Sequence, residues 1–248
     1  MFDISNVSEL KSSYWSSKLY EPGSYFPNNE PSYKYGIGPS LSSTGFYGTW
    51  INIYYFHKIM CGLGLENKSL KLSVPTHIQY LPTSYYNGLQ QIKMLVLHDT
   101  GNEKGDSAKS NYNYFTGKGA IEKSLTAHAF IDNKELLLTI PINQGANHVK
   151  GSYQGKSFNE NSYGLELCNL VTQKDVDEQF SNAAKYFAQL CLEFNLDPYI
   201  DIHSHKELSI LGNVSVGHVD PDAYLAKWGY NMDKFRNLVA DYLLIPIV

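Results

Sequence analysis

The sequence has few cysteines, a single arginine and only a small net charge, and each of these features narrows the possible functions. Cys61, Cys168 and Cys191 are an odd number without a Cys-x-x-Cys pair, so neither a disulfide scaffold nor a cysteine zinc site is expected. Arg236 stands alone among lysines, and the formal net charge is −4 with a pI of about 6.0. This composition does not indicate a nucleic-acid-binding protein.

The sequence also lacks a long apolar run. The first twenty residues contain no basic segment followed by an apolar one, so no secretory signal is expected. The most apolar segment, 50–65, contains Asn52, His57 and Lys58 and is too short to span a bilayer. A soluble chain of one or two domains is therefore expected, because 248 residues that are 43% hydrophobic can form a full core.

Residues 1–72 form a Tyr-rich region that differs from the rest of the chain. Its first part, 1–45, is rich in Ser, Tyr, Pro, Gly and Asn and shows no sustained periodicity. Tyrosines combine apolar area with a polar tip, so the region could bind sugar or protein, or it could pack on the domain that follows. Apolar residues at three- and four-residue spacing then predict a short amphipathic helix: Trp50, Ile53, Tyr54, His57 and Met60.

From residue 73 onward, apolar patterns of strand and helix period alternate. After the first strand, the patterns predict a helix over 106–115, with Asp106 near its N-cap, and two hairpin strands over 126–131 and 134–140. A strand over 162–168 and a helix over 172–195, capped by Thr172, follow. The last predicted elements are a strand over 199–205 and helices over 221–227 and 231–244. This order predicts an α/β (α+β) domain over 73–248, in which a central mixed β-sheet is flanked by helices. Residues 1–72 are an extra N-terminal region.

The segment 93–102 contains the first candidate functional residue. Leu95, Val96 and Leu97 predict a strand buried on both faces, and His98 follows them at the carboxyl end, where open α/β sheets bind ligands. A lone histidine in such a place is more often a packed or capping residue. However, six of the eight histidines fall between His98 and His218, mostly at the ends of apolar runs.

Three short motifs resemble a known family. Leu97-His98, Ser204-His205-Lys206-Glu207 and His218-Val219-Asp220-Pro221 are similar, in type and order, to motifs of the zinc-dependent N-acetylmuramoyl-L-alanine amidases of the phage-lysozyme, muropeptide-recycling and peptidoglycan-recognition type. The resemblance covers about 73–245. It implies that His98, His205 and Asp220 hold Zn²⁺, whose fourth position takes a water of pKa near about 7. His203 is the nearest competitor, but the family's ligand directly precedes the Lys-Glu pair.

The same resemblance implies roles for five further residues. Glu166 matches the strand glutamate that acts as general base or acid. His218 stands where many members carry a lysine that stabilises the oxyanion, and a histidine's charge would depend on pH. His128 matches a Tyr or His position and is a further catalytic candidate. His148 matches the Trp-His-Ala-Gly segment, with Asn in place of Trp, and is expected to line the substrate cleft together with Asn102.

The expected function is hydrolysis of bacterial peptidoglycan at the amide between N-acetylmuramic acid and L-alanine. Without a signal, a phage-encoded lysin, released at lysis or carried on the virion, fits better than a secreted autolysin, and residues 1–72 could then bind a virion or wall partner. Three alternatives stay open. They are a cytoplasmic muropeptide-recycling amidase, which would hardly need the N-terminal region, a non-catalytic peptidoglycan binder, which Asp220 disfavours, and a phage regulator of a host polymerase.

Overall fold

The computed structural model describes residues 36–37, 51–52, 70–82, 86, 88, 91–117, 125–153, 155–214 and 218–244. Contacts divide the chain into two units, Met1–Asn67 with Ile247 and Lys68–Pro246 with Val248. In the first unit, β1 (Gly36–Ile37) pairs antiparallel with β2 (Ile51–Asn52). β2 lies within the segment predicted as an amphipathic helix, and the other residues of that prediction lie outside the described residues.

The second unit is built on a six-stranded mixed sheet, which confirms the predicted architecture. Its strands are β3 (Thr76–Ile78), β4 (Met94–Asp99), β5 (Ala129–Ile131), β6 (Leu136–Leu138), β9 (Ser162–Leu167) and β10 (Ile202–Ser204). Their order in the sheet is β10-β4-β9-β5-β6-β3, and all neighbours are parallel except β5 and β6. A separate short hairpin joins β7 (Ser152–Tyr153) to β8 (Lys156–Ser157).

Strand β4 lies in the middle of the parallel part of the sheet, between β10 and β9. Leu95, Val96 and Leu97 are completely buried, as their uninterrupted apolar run predicted. His98 and Asp99 form the carboxyl end of the strand. The sheet therefore delivers His98 to the edge at which β9 and β10 also end.

Helices flank the sheet: α1 (Ala108–Phe115), α2 (Gln173–Phe194), α3 (His205–Leu211), α4 (Asp222–Lys227) and α5 (Met232–Leu244). The Thr172 side chain caps α2 as predicted by accepting the N–H of Asp175. The rings of Phe187 and Phe235 lie 5.7 Å apart and join α2 to α5. Among the described helices, none is long and apolar enough to cross a membrane.

The lead-in to the sheet packs on α2. The side chain of Gln189 donates to the carbonyl of Leu70 at 2.8 Å, and the Ser73 N–H donates to Asn182 at 2.7 Å. Leu70 and Val74 are buried. These contacts begin a few residues before position 73, so residues from about 70 are part of the packing around α2.

Several predicted boundaries differ from the structure, and two of them bear on the site. Asp106 lies near the N-cap of α1, as predicted, but the N-cap itself is Ser107, because its Oγ accepts the Ser110 N–H while Ser110 reciprocates. The strand predicted over 199–205 ends at Ser204, and His205 begins α3. A capping box causes this change, since Ser204 Oγ accepts the Glu207 N–H and the Glu207 carboxylate accepts the Ser204 N–H.

Candidate active site

The structure brings His98, His205 and Asp220 together although they come from three different elements. His98 ends β4, His205 begins α3, and Asp220 lies in the loop before α4. One ligand atom from each lies within 4.8 Å of the others. Asp220 Oδ2 is 3.0 Å from His98 Nδ1 and 3.2 Å from His205 Nδ1. In a tetrahedral site with bonds of about 2.0–2.1 Å, neighbouring ligand atoms lie roughly 3.3 Å apart, so this spacing fits a bound metal.

The chemistry of the donor atoms also fits a metal. His98 and His205 both direct Nδ1 to Asp220 Oδ2, so two imidazole nitrogens and one carboxylate oxygen converge. Imidazole nitrogens and carboxylate oxygens are both good ligands for zinc. The Pro221 backbone caps α4 without a side-chain hydrogen bond. The Asp220 carboxylate is directed to the two histidines instead of to the helix backbone.

The charge states of these residues suit metal binding. Burial raises the pKa of Asp220, but hydrogen bonds with His205 and His98 outweigh burial and hold that pKa well below its ordinary value. Burial lowers the pKa of His98, and its contact with Asp220 opposes this only in part. At neutral pH the site therefore combines an ionised carboxylate with a neutral imidazole, which are the forms that bind metals.

A cleft of about 760 Å³ opens beside the three ligands. Its lining includes four of the residues expected there, Asn102, His148, Glu166 and His218, but not His128. Asp99, Thr100 and Asp106 add polar groups, and Tyr114, Leu125 and Val219 add exposed apolar side chains. A cleft with one apolar part and a few converging polar groups is the usual form of a substrate site.

Glu166 lies next to the candidate metal site. It is the register partner of His98 across the pairing of β4 with β9, and its side chain is half-buried. Burial raises the pKa of Glu166 well above its ordinary value, and the carboxylates of Asp220, Asp99 and Asp106 raise it further. A carboxyl group with a raised pKa can both accept and return a proton near neutral pH.

His218 is the most exposed of the three histidines around Asp220, with a side chain that is 42% exposed. Its ring stacks on His205 with centroids 4.2 Å apart and planes 14° from parallel, and its Nδ1 is 3.7 Å from Asp220 Oδ1. Partial burial and the neighbouring His205 lower the pKa of His218. A neutral imidazole can still donate one hydrogen bond into the cleft.

His128 does not reach the cleft, in contrast with the expectation from sequence. It is completely buried and stacks on Tyr163 at 4.5 Å. Its Nδ1 accepts the Gly164 N–H at 3.0 Å, and its Nε2–H donates to the Gln144 carbonyl at 3.0 Å. Burial lowers the pKa of His128 to about 3. Because backbone groups bind both ring nitrogens, the residue supports the fold and has no lone pair for catalysis.

The remaining predicted residues have simpler environments. Asn102 is exposed in the loop after β4, where its side chain binds the Lys104 N–H and the Gly105 carbonyl. His203 is half-buried within β10, between the buried Ile202 and Ser204. Since β10 ends before His205, His203 and His205 do not share a strand face, and His203 is not among the candidate ligands.

Sequence reasoning missed Asp99, Asp106 and Ser162. The two aspartates line the cleft, and burial raises the pKa of each. Ser162 is completely buried, and its Oγ lies 3.1 Å from His148 Nε2. The alternation Ser162-x-Gly164-x-Glu166 is the signal that could have identified Ser162, because it places this hydroxyl on the same strand face as Glu166.

Several proteins of known sequence are similar to this chain. Protein Ami of Listeria monocytogenes is 27% identical over 169 residues, which are 65% of this chain and 17% of that protein. The N-acetylmuramoyl-L-alanine amidase BlyA of Bacillus subtilis is 29% identical over 148 residues, 52% of this chain and 39% of that protein. The chain thus spans less than half the length of these relatives.

Solved structures share the fold. The hydrolase AmiA of Staphylococcus aureus, solved in complex with its ligand, superposes with a TM-score of 0.58 at 20% identity, covering 84% of this chain and 93% of that one. A mutant endolysin from Bacillus subtilis has a TM-score of 0.51 at 22% identity, covering 67% of this chain and 99% of that one.

The family assignment comes from the sequence profile that matches the region containing most of the site. The profile described as N-acetylmuramoyl-L-alanine amidase matches residues 88–223, which is more than half of the chain and includes His98, Glu166, His205 and Asp220. The chain therefore belongs to the N-acetylmuramoyl-L-alanine amidase family.

Proposed function

We propose that the chain is a zinc-dependent amidase that hydrolyses the bond between the lactyl group of N-acetylmuramic acid and L-alanine in bacterial peptidoglycan. The observation that supports this most directly is the His98–His205–Asp220 cluster at the head of a cleft that also contains Glu166. Two histidines and one carboxylate are a ligand set of zinc hydrolases, which leave one position open. The open side of the cluster faces space large enough for a peptide and a sugar.

In this proposal Zn²⁺, when bound, would activate water and polarise the scissile carbonyl. Glu166 accepts the proton released as water attacks and passes it to the departing alanine nitrogen, because hydrolysis must protonate the amine as the carbon–nitrogen bond breaks. Its half-buried position and raised pKa support this exchange. His218 donates a hydrogen bond to the developing oxyanion from the open side of the cleft.

The substrate expectation agrees with the composition of the cleft. Apolar side chains, Tyr114, Leu125 and Val219, offer surface to a sugar ring or to alanine methyl groups. The carboxylates of Asp99 and Asp106 offer acceptors to amide N–H groups. No strong positive field is needed for a largely neutral glycopeptide, which agrees with the net charge of −4.

Digestion of purified cell walls tests the proposed reaction. The zinc-loaded protein should release stem peptides with a free L-alanine amine and leave N-acetylmuramic acid with a free lactyl carboxylate, and mass spectrometry identifies both ends. The same protein treated with a chelator should release neither. Zinc binding without new ends would favour the non-catalytic binder, and cleavage between amino acids would refute the bond assignment.

We also propose that residues 1–72 direct the enzyme to its wall or to a virion partner, as expected of a phage-encoded lysin. A chain starting near Lys68 keeps the contacts of Leu70 and Ser73 with α2, so it is the truncation to compare with the full chain. The shortened protein should cut soluble muropeptides at an unchanged rate but sediment less with intact walls. Equal sedimentation would refute a targeting role, and an insoluble product would show that the region belongs to the fold.

A further inference from the structure

A chain of three hydrogen bonds runs from the backbone behind the cleft to the candidate ligand His98. Ser162 Oγ lies 2.7 Å from the Phe158 carbonyl oxygen, and His148 Nε2 lies 3.1 Å from Ser162 Oγ. His98 Nε2 lies 2.9 Å from His148 Nδ1. Ser162, His148 and His98 are all buried, so water does not compete for these bonds.

The donor and acceptor chemistry of these groups determines the direction of each of the three hydrogen bonds. A carbonyl oxygen only accepts, so the Ser162 hydroxyl donates its single proton to Phe158. Ser162 Oγ must then accept the N–H of His148 Nε2. Neutral His148 consequently has a lone pair on Nδ1, which accepts the N–H of His98 Nε2. The remaining lone pair of His98 lies on Nδ1, 3.0 Å from Asp220 Oδ2, and these two acceptors need a cation between them.

The opposite direction is unfavourable. If Ser162 donated to His148, its oxygen and the Phe158 carbonyl would be two acceptors 2.7 Å apart with no proton between them. If His148 were an imidazolium, its charge would be buried with Ser162 and His98 as its side-chain partners, neither of which is a carboxylate. A buried charge without a counter-ion is costly.

The surrounding backbone is shaped to hold His148 in this position. A Cβ at Gly164 would lie 2.5 Å from His148 Nδ1, so only glycine leaves room for the ring. The Asn159 side chain accepts the backbone N–H groups of His148 and Val149 at 3.1 and 3.0 Å. Along β9, Ser162 holds the ring, Gly164 makes space for it, and Glu166 faces the cleft.

We propose that His148 and Ser162 are positioning residues that hold His98 in its Nε2–H tautomer, with the Nδ1 lone pair directed into the metal site. The inference rests on the proposed function because it assigns the purpose of this lone pair to zinc binding. An imidazole that donates its second N–H to a fixed acceptor is held in one orientation and is a better ligand. His148 thus acts through His98 as well as lining the cleft.

The tautomers can be read directly in the full-length wild-type protein. Long-range ¹⁵N–¹H spectra distinguish a protonated Nε2 from a protonated Nδ1 in each histidine. In the zinc-loaded protein, both His98 and His148 should carry their proton on Nε2. A proton on Nδ1 of His148, or an imidazolium at that position, would overturn the proposal whatever the activity of the enzyme.

Zinc affinity of the full-length variants, measured by competition with a chelating dye, is the second readout. His148→Leu removes the acceptor and should raise the zinc Kd about 10–100-fold. His148→Asn keeps an oxygen near the position of Nδ1 and should recover most of that loss. Ser162→Ala leaves the His148 ring but removes its acceptor, so a smaller increase in Kd is expected.

Thr139→Val is the matched control, because it also deletes a buried hydroxyl that donates to a carbonyl. The Thr139 hydroxyl donates to the Ala127 carbonyl at 2.6 Å and not to a histidine ring. The substitution should lower stability while leaving the zinc Kd unchanged. An unchanged Kd in His148→Leu, or equal effects in His148→Leu and His148→Asn, would refute the positioning role. A wild-type protein that has the expected tautomers and binds zinc but releases no muropeptide ends would refute only the proposed function.

Discussion

Five histidines at or behind the candidate site fall into two groups that differ in their environment. The front histidines, His98, His205 and His218, surround Asp220, and each has its Nδ1 towards the Asp220 carboxylate. The rear histidines, His128 and His148, lie behind them and are hydrogen-bonded through both ring nitrogens. Residue type is therefore a poor guide to role, because what a histidine can do depends on which lone pairs remain available.

The two groups also differ in how they depend on their surroundings. His98 and His205 stand at element ends and His218 lies in the loop before α4, and all three side chains reach the cleft. The rear residues lie against the interior strand β9, and Gly164 serves both by accommodating the His148 ring and donating its N–H to His128. We expect substitution of the front histidines to change metal content and turnover, and substitution of His128 to change stability.

The largest effect is expected from His98→Ala. Loss of one of the three protein ligands should abolish stoichiometric zinc binding and reduce turnover by at least about 10³-fold. Metal analysis and muropeptide hydrolysis measure the two losses. His77→Ala, at an exposed position of β3, is the control and should keep both properties. A zinc-replete and fully active His98→Ala protein would remove the metal hypothesis.

Glu166→Gln separates chemistry from metal binding. The amide keeps the shape of the side chain but cannot take up a proton, so turnover should fall by about 10²–10⁴-fold while zinc remains bound. Kinetics on a soluble muropeptide, with metal analysis of the same sample, measure this difference. If turnover is retained, another group of the cleft must carry the proton.

His128→Gln tests the rear group through pH. The pKa of His128 is about 3 in the folded protein and near 6.5 when unfolded, so the unfolded chain binds more protons between these values. Wild-type stability should therefore fall as the pH drops below about 6.5, and His128 contributes about 2 kcal/mol of that fall by pH 5. Glutamine does not titrate, so the zinc-free variant should lose correspondingly less between pH 7 and pH 5.

Denaturant unfolding of both zinc-free proteins at pH 5, 6 and 7 gives the comparison for His128. The other titrating histidines are common to both proteins and cancel in the difference. Zinc-loaded His128→Gln should retain turnover within about tenfold at pH 7.5, because a group with both nitrogens bound takes no part in proton transfer. Equal dependence of the unfolding free energy on pH in the two proteins would contradict the assignment of His128 to the rear group. A loss of turnover as large as that of Glu166→Gln would contradict it as well.

The smallest effect is expected from His203→Gln. His203 and His205 are only two residues apart, but His203 lies within β10 and outside the ligand cluster. Its substitution should leave zinc content intact and turnover within about twofold, whereas His205→Gln should lose zinc. Metal analysis of the two variants side by side is sufficient. Zinc loss in the His203 variant would reopen the choice of ligand.

Much of the fold was predictable from local patterns. The uninterrupted apolar run Leu95–Leu97 indicated a strand buried on both faces, and the apolar stripe of 172–195 indicated α2 with its Thr172 cap, because burial and capping follow directly from periodicity. The two shifted boundaries at the site arose where polar residues cap a helix. Ser107, next to Asp106, caps α1, and the Ser204–Glu207 capping box ended β10 one residue before His205.

The sequence by itself determined the order of strands and helices, the motifs that indicate the metal ligands, and the strand that contains Glu166. Tertiary structure alone decided which histidines have lone pairs to offer. His128 is buried, and both of its ring nitrogens are hydrogen-bonded. The series of hydrogen bonds from Phe158 through Ser162 and His148 to His98 joins a loop, β9 and β4. Periodicity predicts the face on which a side chain lies, but hydrogen-bond partners distant in sequence are set only when the elements pack together.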